Sequence, residues 1–140
     1  MKLLIDTNVI LDVLINRPQF VKESADILRL SGNGILEFVS ASSITDIYYI
    51  AKQEIRNKRQ VINLIKNLIS IIHAVDVSEQ EIICALNSDW KDFEDAVQNA
   101  IAKYNDFDVI ITRNPADFKK SSISVYTPSI SPDSSGDYLN

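Results

Sequence analysis

The spacing of hydrophobic residues along the chain predicts alternating strands and helices. Short runs of consecutive apolar residues are typical of buried strands, and they occur at 2–5, 35–39, 71–77, 108–112 and 124–127. Apolar residues at steps of three and four predict amphipathic helices, which we place at 8–15, 20–30, 42–55, 61–68, from Ser78 onward and at 92–104. The Gly32-Asn33-Gly34 sequence is a turn signal before the second predicted strand.

This order of elements predicts an α/β protein with a central parallel sheet of about five strands. Strands that are apolar without alternation are covered on both faces, and strand–helix alternation favours parallel pairing. The length of 140 residues fits one domain, which we expect over 1–128. Residues 129–140 are rich in Ser, Asp and Pro, and we expect them to form a flexible tail.

Two of the predicted helices allow more detailed expectations. Ser78 and Glu81 have the spacing of a capping box at the start of a helix. The apolar side of that helix is expected to consist of Ile82, Ile83 and Leu86. The helix at 92–104 has the most regular apolar face in the sequence, formed by Phe93, Ala96, Val97, Ala100, Ile101 and Tyr104.

Composition and charge narrow the possible classes of function. A net charge of −5 argues against a protein that coats nucleic acid by bulk attraction. No apolar run approaches the roughly 18 residues that span a bilayer, so we expect no membrane association. The strand pattern beginning at residue 2 leaves no room for a signal peptide. Cys84 and His73, the only residues of their types, are expected to be packed in the fold, and an unpaired cysteine is consistent with the reducing cytoplasm.

The most informative position is Asp6, which directly follows the apolar run at 3–5. Open α/β sheets bind ligands beyond the carboxyl ends of their strands. Asp6 can cap the next helix or bind a metal, and we favour the metal because Thr7 and Asn8 could provide the cap. An aspartyl phosphatase with Asp6 as its nucleophile is a weaker alternative, since such enzymes usually carry a second acid where this chain has Asn8.

Further acids recur where later elements return to the same edge of the sheet. Asp46 lies off the apolar face of its helix and is either a second ligand or a solvated position. Asp92 is a natural N-cap, Asp95 is expected to be a ligand, and Glu94 is expected to project elsewhere. Carboxylates that converge in this way form a hard-cation site, and such a site usually serves phosphate chemistry.

Polar residues also follow the fourth predicted strand. Asn114 and Asp117 are candidates to complete the site, although both can be loop formers near Pro115. Thr112 is expected to orient a neighbouring carboxylate through a hydrogen bond. Trp90 is expected in the core or at the rim, with stacking on a base as the weaker alternative.

At these residues the chain resembles the PIN-domain family, and within it the VapC-like toxin ribonucleases of bacterial toxin–antitoxin pairs. The stretches 4–12, 42–47, 92–98 and 110–118 resemble the four family motifs in the correct order. Asp95 has the position of the main metal ligand. Asp46 stands where Glu is more common, and Asn114 stands where some members carry an acid. The resemblance extends over about 2–128.

The resemblance implies a three-layer α/β/α fold and a site for Mg²⁺ or Mn²⁺. It implies that Asp6, Asp46 and Asp95 hold the metal, and that Asp117 or Asn114 assists catalysis. Supporting hydrogen bonds around these ligands are expected from Thr112, Asn8 and Asp92.

The function we expect is metal-dependent cleavage of RNA phosphodiester bonds by the toxin of a type II toxin–antitoxin pair. The resemblance implies an RNA substrate, a cognate antitoxin and a homodimer. Lys52, Lys91 and Arg113 are candidates for holding the RNA backbone. The alternative is a catalytically silent PIN-like binding module, which the departures at Asp46 and Asn114 keep open.

Overall fold

The sheet contains five parallel strands within residues 1–129, the part of the chain that this computed structural model describes. The strands are β1 (Lys2–Ile5), β2 (Leu36–Ser40), β3 (His73–Val75), β4 (Val109–Ile111) and β5 (Ser124–Tyr126). They lie in the order β3-β2-β1-β4-β5, with every neighbouring pair parallel. The predicted α/β class and the five-stranded parallel sheet are therefore confirmed. The tail predicted at 129–140 lies outside the described residues, apart from Ser129.

Helices cover both faces of the sheet. They are α1 (Thr7–Leu14), α2 (Val21–Leu28), α3 (Ala41–Ile55), α4 (Lys58–Ile71), α5 (Glu79–Leu86) and α6 (Phe93–Tyr104), followed by a 3₁₀ turn at Pro115–Phe118. Leu3 and Ile5 of β1 point into the core shared with α1, α2, α3 and α4. Leu4, between them, points into the second core with α5 and α6, because successive strand residues face opposite sides. The result is three layers.

The central strand β1 and its neighbour β4 bring two predicted site residues together. Leu3 pairs with Val109 and Ile5 pairs with Ile111. The backbone N–H of Asp6 continues this pairing by donating to the carbonyl of Ile111 at 2.9 Å. Asp6 and Thr112 therefore leave adjacent strands at the same edge of the sheet, as expected from the sequence.

Two predictions about the region of α4 and β3 were wrong. The helix α4 continues through Ile71, so β3 begins two residues later than expected and ends at Val75. His73, expected to be packed, lies exposed on this edge strand, with its ring centroid 5.5 Å from that of Phe38. Residues of this short edge strand are only partly covered by the helices on the faces of the sheet, and His73 and Ala74 are both exposed.

The apolar faces of α5 and α6 are narrower than the sequence indicated. Ile83 is 50% exposed and Leu86 is 66% exposed, because α5 is only two turns long and packs through Ile82 and Ala85. Phe93 is also half exposed at its end of α6, and so is Tyr104 at the other end. Cys84 is half-buried rather than in the core. The predicted capping box is present, with the Ser78 N–H donating to Glu81 Oε2 at 3.1 Å.

Candidate active site

A cleft of about 450 Å³ opens where β1 and β4 end, and carboxylates dominate its lining. It is called the acidic cleft below. Its carboxylates are Asp6, Asp46, Asp92, Glu94, Asp95 and Asp117. The other lining residues are Thr7, Asn8, Tyr49, Ile50 and Asn114. Within the described part of the chain, no lysine or arginine lines it.

The acidic cleft collects side chains from four separate parts of the chain. Asp6 comes from the end of β1, Asp46 from α3, and Asp95 from the first turn of α6. Asn114 and Asp117 come from the segment after β4. All five residues predicted to be catalytic thus line one cleft, and Asn8 and Asp92 line it as well.

Three donors fix the carboxylate of Asp6. Its Oδ1 accepts from the backbone N–H of Thr7 at 2.8 Å and from Gln98 Nε2 at 2.9 Å. Its Oδ2 accepts from one group among the described residues, the Thr112 hydroxyl, at 2.8 Å. A carboxylate oxygen offers about two acceptor positions, so Oδ1 is saturated and Oδ2 keeps one position open. Asp6 also caps α1, a role that Thr7 and Asn8 were expected to take.

The hydroxyl proton of Thr112 points in a defined direction, toward the carboxylate of Asp6. Thr112 is fully buried. Its Oγ1 accepts from the backbone N–H of Asn114 at 3.2 Å and donates to Asp6 Oδ2. This is the hydrogen bond to a neighbouring carboxylate that the sequence indicated.

Gln98 is a site residue that the sequence analysis missed. It is buried, and its amide group donates to Asp6 Oδ1, while its own Oε1 has no hydrogen-bond partner among the described residues. A buried glutamine with one unsatisfied atom is costly, which is consistent with a role in holding Asp6 rather than in stability. The available signal was its position three residues after Asp95, on the same side of the helix.

Glu94 contradicts the expectation that it projects away from the site. It lines the acidic cleft, and its Oε1 accepts from the Thr7 hydroxyl at 2.9 Å. The Cα–Cβ bonds of a helix tilt toward its N-terminus. A long side chain in the first turn can therefore reach over the helix end from either side. Asp92 has its predicted role as N-cap of α6, accepting from the Asp95 N–H at 3.0 Å.

The clustered negative charge raises the pKa of two carboxyl groups in the cleft. Burial, followed by the charges of Asp92, Asp6, Asp117 and Glu94, raises the pKa of Asp95 to about 7. Burial also raises the pKa of Glu94, and the Thr7 hydrogen bond opposes this shift while the charges of Asp46, Asp6 and Asp92 add to it. Asp95 is therefore partly protonated near neutral pH, and a bound cation would favour its ionised form.

The donor set of the acidic cleft fits a hard divalent cation. Carboxylate and amide oxygens are the ligands that Mg²⁺ and Mn²⁺ prefer. Among the described residues, carboxylates are the only charged groups in the lining. Among residues 1–129, no three acidic, His or Cys side chains are already gathered as a ready-made metal cage. Carboxylates spread along a cleft wall are expected from their mutual repulsion. The open position on Asp6 Oδ2 gives the site one fixed ligand atom.

The predicted RNA-binding residues lie in different surroundings. Arg113 points away from the acidic cleft, with its Nε 3.1 Å from Oδ2 of buried Asp12 and its guanidinium 4.0 Å from the Phe20 ring centroid. Lys52 lies over the ring of Tyr48 and does not line the cleft. Lys91 lines a second cleft next to it.

Asp12, at the end of the 4–12 stretch, is a buried acid for which the sequence predicted no role. It accepts from Arg17 at 3.2 Å and from Ser24 at 3.0 Å, in addition to its ion pair with Arg113. Arg17 also donates to Asn8 at 3.2 Å. This network connects α1, α2 and the segment after β4 beneath the acidic cleft.

A comparison with protein-family models finds one match, described as PIN domain, over residues 2–116. A comparison with curated proteins gives no match. The family match covers the strands β1 to β4 and every acid of the cleft except Asp117.

Solved structures share the fold at low sequence identity. VapBC2 from Rickettsia felis, bound to a DNA fragment from its promoter, is 13% identical with a TM-score of 0.71, covering 91% of this chain and 98% of that chain. VapBC-1 from nontypeable Haemophilus influenzae is 18% identical with a TM-score of 0.71, covering 93% and 100%. VapC20 from Mycobacterium tuberculosis, a sarcin-ricin loop cleaving toxin, is 10% identical with a TM-score of 0.63, covering 77% and 86%. These similarities confirm the three-layer fold.

Proposed function

Because the chain belongs to the PIN-domain family, we propose that it is a metal-dependent endoribonuclease that cleaves RNA phosphodiester bonds. The observation that carries this proposal is the acidic cleft, which is lined by six carboxylates and by no lysine or arginine of the described residues. Such a cleft repels a phosphodiester unless a cation offsets the charge. The sarcin-ricin loop cleaving activity named for VapC20, which shares the fold, supports an RNA substrate.

The proposal assigns Asp6, Asp46 and Asp95 as the residues that hold Mg²⁺ or Mn²⁺, with Asp117 or Asn114 assisting. When bound, the ion supplies positive charge that neutralises the scissile phosphate and acidifies water. Thr112 and Gln98 hold the Asp6 carboxylate so that its open Oδ2 position faces the cleft. Preorganised ligands of this kind need little rearrangement during the reaction.

The direct test is cleavage of labelled single-stranded RNA and of total cellular RNA by the purified chain. We expect cleavage with Mg²⁺ or Mn²⁺, none with EDTA, and products that carry a 5′-phosphate and a 3′-hydroxyl. A folded chain that binds the ion but cleaves neither RNA preparation would favour the silent binding module instead.

Metal binding should be visible without any RNA. Mg²⁺ or Mn²⁺ at millimolar concentration is expected to raise the melting temperature, because the ion binds the folded state preferentially. The pKa of Asp95, about 7, implies that binding releases a proton. Affinity should therefore rise by about tenfold per pH unit below pH 7 and level off above it. Calorimetry at pH 6 and pH 8 measures this, and equal affinities at the two values would contradict the assigned role of Asp95.

We further propose that the chain is the toxin of a toxin–antitoxin pair and acts in the cytoplasm as a homodimer. The support is the shared fold with the VapBC2 and VapBC-1 proteins and the acidic cleft, which a basic side chain of an antitoxin could fill through bidentate pairing with carboxylates.

Expression of the chain alone should arrest growth, and expression together with its cognate antitoxin should restore it. The matched control is the Asp6→Asn variant, which should not arrest growth at equal protein level. Unimpaired growth with the wild-type chain at high level would contradict the toxin role.

In the described residues no helix has the length and apolar character needed to cross a membrane.

A further inference from the structure

A second cleft adjoins the acidic cleft and differs from it in charge. It has a volume of about 610 Å³ and shares Asp92, Asp95 and Asp117 with the acidic cleft. Its remaining lining consists of Trp90, Lys91, Ala116, Lys119 and Lys120. It is called the lysine cleft below. The two clefts are continuous along the side of Asp95, so a ligand can occupy both at once.

Two of the three lysines in this cleft are available for a ligand. Lys120 interacts with Asp89, through its backbone carbonyl and through a side-chain contact at 3.4 Å. Lys91 and Lys119 are exposed, and neither side chain has a hydrogen bond, ion pair or ring contact within the described part of the chain. Their ammonium groups are therefore free to contact a ligand directly beside the acidic cleft.

Two arginines near the acidic cleft are already engaged. Arg113 is paired with buried Asp12 and covers the ring of Phe20. Arg17 is paired with Asp12 and Asn8. The positive charge that a polyanion can reach from the acidic cleft is therefore concentrated on the side of α6 and the 3₁₀ turn.

Trp90 gives the lysine cleft an aromatic wall. The indole is half-buried, and it meets the Phe118 ring edge to face, with centroids 5.6 Å apart and an interplanar angle of 74°. This contact anchors the ring beside Lys91 and Lys119. Basic side chains that follow a backbone, combined with an anchored aromatic ring, form the usual arrangement for holding a single nucleic-acid strand.

We propose that single-stranded RNA runs from the acidic cleft through the lysine cleft, with Lys91 and Lys119 contacting the phosphates next to the scissile bond and Trp90 contacting a base. This path rests on the proposed ribonuclease function and adds the direction in which the RNA leaves the acidic cleft. In this path Lys91 and Lys119 contact the RNA backbone, in place of Arg113 and Lys52. Because phosphate contacts are independent of sequence, the two lysines provide affinity and position rather than base recognition.

The lysine cleft contains its own spectroscopic reporter, because Trp90 is the only tryptophan of the chain. The experiment uses the full chain carrying Asp95→Asn, with Mg²⁺ present, and a fluorescein-labelled single-stranded RNA whose integrity is checked on a gel. Anisotropy of the label measures binding, and indole emission measured with the unlabelled RNA reports occupancy of the lysine cleft. We expect both signals to saturate at the same RNA concentration.

Substitution of the lysines tests the path separately from the indole signal. Lys91→Gln and Lys119→Gln should each weaken binding and reduce the slope of log affinity against log salt by about 0.7, the value for one phosphate contact in a single strand. The double variant should reduce the slope by about twice as much. Lys103→Gln, which removes the same charge at the far end of α6, should change neither quantity.

The outcomes separate this proposal from the ribonuclease function. If wild-type chain cleaves RNA while Lys91→Gln and Lys119→Gln bind with unchanged affinity and salt slope, the path is wrong and the function stands. If the two variants instead lose a co-purifying protein and bind RNA normally, the lysine cleft belongs to a protein partner and the proposal is overturned. If the chain binds RNA in a lysine-dependent way but does not cleave it, the ribonuclease function is overturned and the binding path stands.

Discussion

Asp6→Asn is expected to abolish RNA cleavage and to leave the fold intact. The amide oxygen can replace Oδ1 and still accept from the Thr7 N–H and from Gln98. The amide nitrogen then occupies the place of Oδ2 and removes its open acceptor position. The Thr112 hydroxyl, which donates to Oδ2 in the wild type, must turn so that its oxygen accepts from this nitrogen. Loss of residues that merely support a metal ligand costs about 10–100-fold, so loss of the ligand itself should cost at least about 100-fold.

Asp95→Asn should abolish cleavage equally and should also change the pH dependence of stability. The folded-state pKa of Asp95, about 7, lies above its ordinary value of 3.8. In EDTA, the unfolded chain therefore releases this proton first, and the free energy of unfolding falls as pH rises from about 4 to about 7. Asp95→Asn lacks this decrease, so its melting temperature should exceed that of the wild type most clearly at pH 7 and above.

Four further variants separate the roles within the acidic cleft. Thr112→Val removes the hydroxyl that holds Asp6 Oδ2 and should lower cleavage by about 10–100-fold. Glu94→Gln keeps an acceptor for Thr7 and removes one charge, so a smaller loss is expected. Asn114→Ala and Asp117→Asn, measured side by side, show which of the two assists catalysis.

The measurement is single-turnover cleavage with Mg²⁺ or Mn²⁺, with circular dichroism of each variant as the control for folding. Wild-type rates in a folded Asp95→Asn variant would overturn the site assignment. Equal losses of cleavage rate in all of these variants would show that the distances and hydrogen bonds of the cleft do not predict which residues matter most for cleavage.

The sequence was sufficient for those parts of the site that depend on local position. Asp6 and Thr112 each follow an apolar strand, and parallel strands end at one edge of a sheet, so their proximity could be derived without coordinates. Asp92 was identifiable as an N-cap because its chemistry acts within one turn. The order of strands and helices followed from periodicity alone.

Other features depend on packing between distant segments and were not predictable. Arg113 was a candidate for holding the RNA backbone, but its partner Asp12 lies about a hundred positions earlier in the sequence. Glu94 was placed outside the site because helical position alone does not show that Thr7 lies within reach. Ile83 and Leu86 were placed on the apolar side of their helix, but periodicity shows which face is apolar and not how much of it a neighbour covers.

Glu37 is another residue that the sequence did not single out, and it has a large expected effect on stability. It lies in β2 beside Leu3 of β1, is 0% exposed, and neither of its carboxylate oxygens has a hydrogen-bond partner of normal geometry among the described residues. Burial raises the pKa of Glu37 to about 8 from an ordinary 4.5, and the backbone of Ser31 opposes the shift only in part. The side chain is therefore neutral in the folded protein at pH 7.

Glu37→Leu is expected to stabilise the protein by an amount that grows with pH. Since the folded-state pKa is raised, the stability that Glu37 contributes is fully present below about pH 4.5 and is lost progressively as pH rises to about 8. At pH 7, keeping Glu37 protonated in the folded protein costs about 3 kcal/mol. Replacing its carboxyl group should therefore raise the melting temperature by roughly 5–10 °C. Leucine has a similar size and needs no hydrogen bond.

Urea unfolding of Glu37→Leu and wild type at pH 5, 7 and 9 measures the effect, and the Asp95→Asn background separates it from the titration of the acidic cleft. The gain should be small at pH 5 and largest at pH 9. Glu54→Gln, which removes the same charge from an exposed position of α3, should show no comparable pH-dependent gain. A constant difference across the three pH values would mean that Glu37 is ionised in the folded protein, and a loss of stability at pH 9 would mean that its carboxylate has a favourable partner.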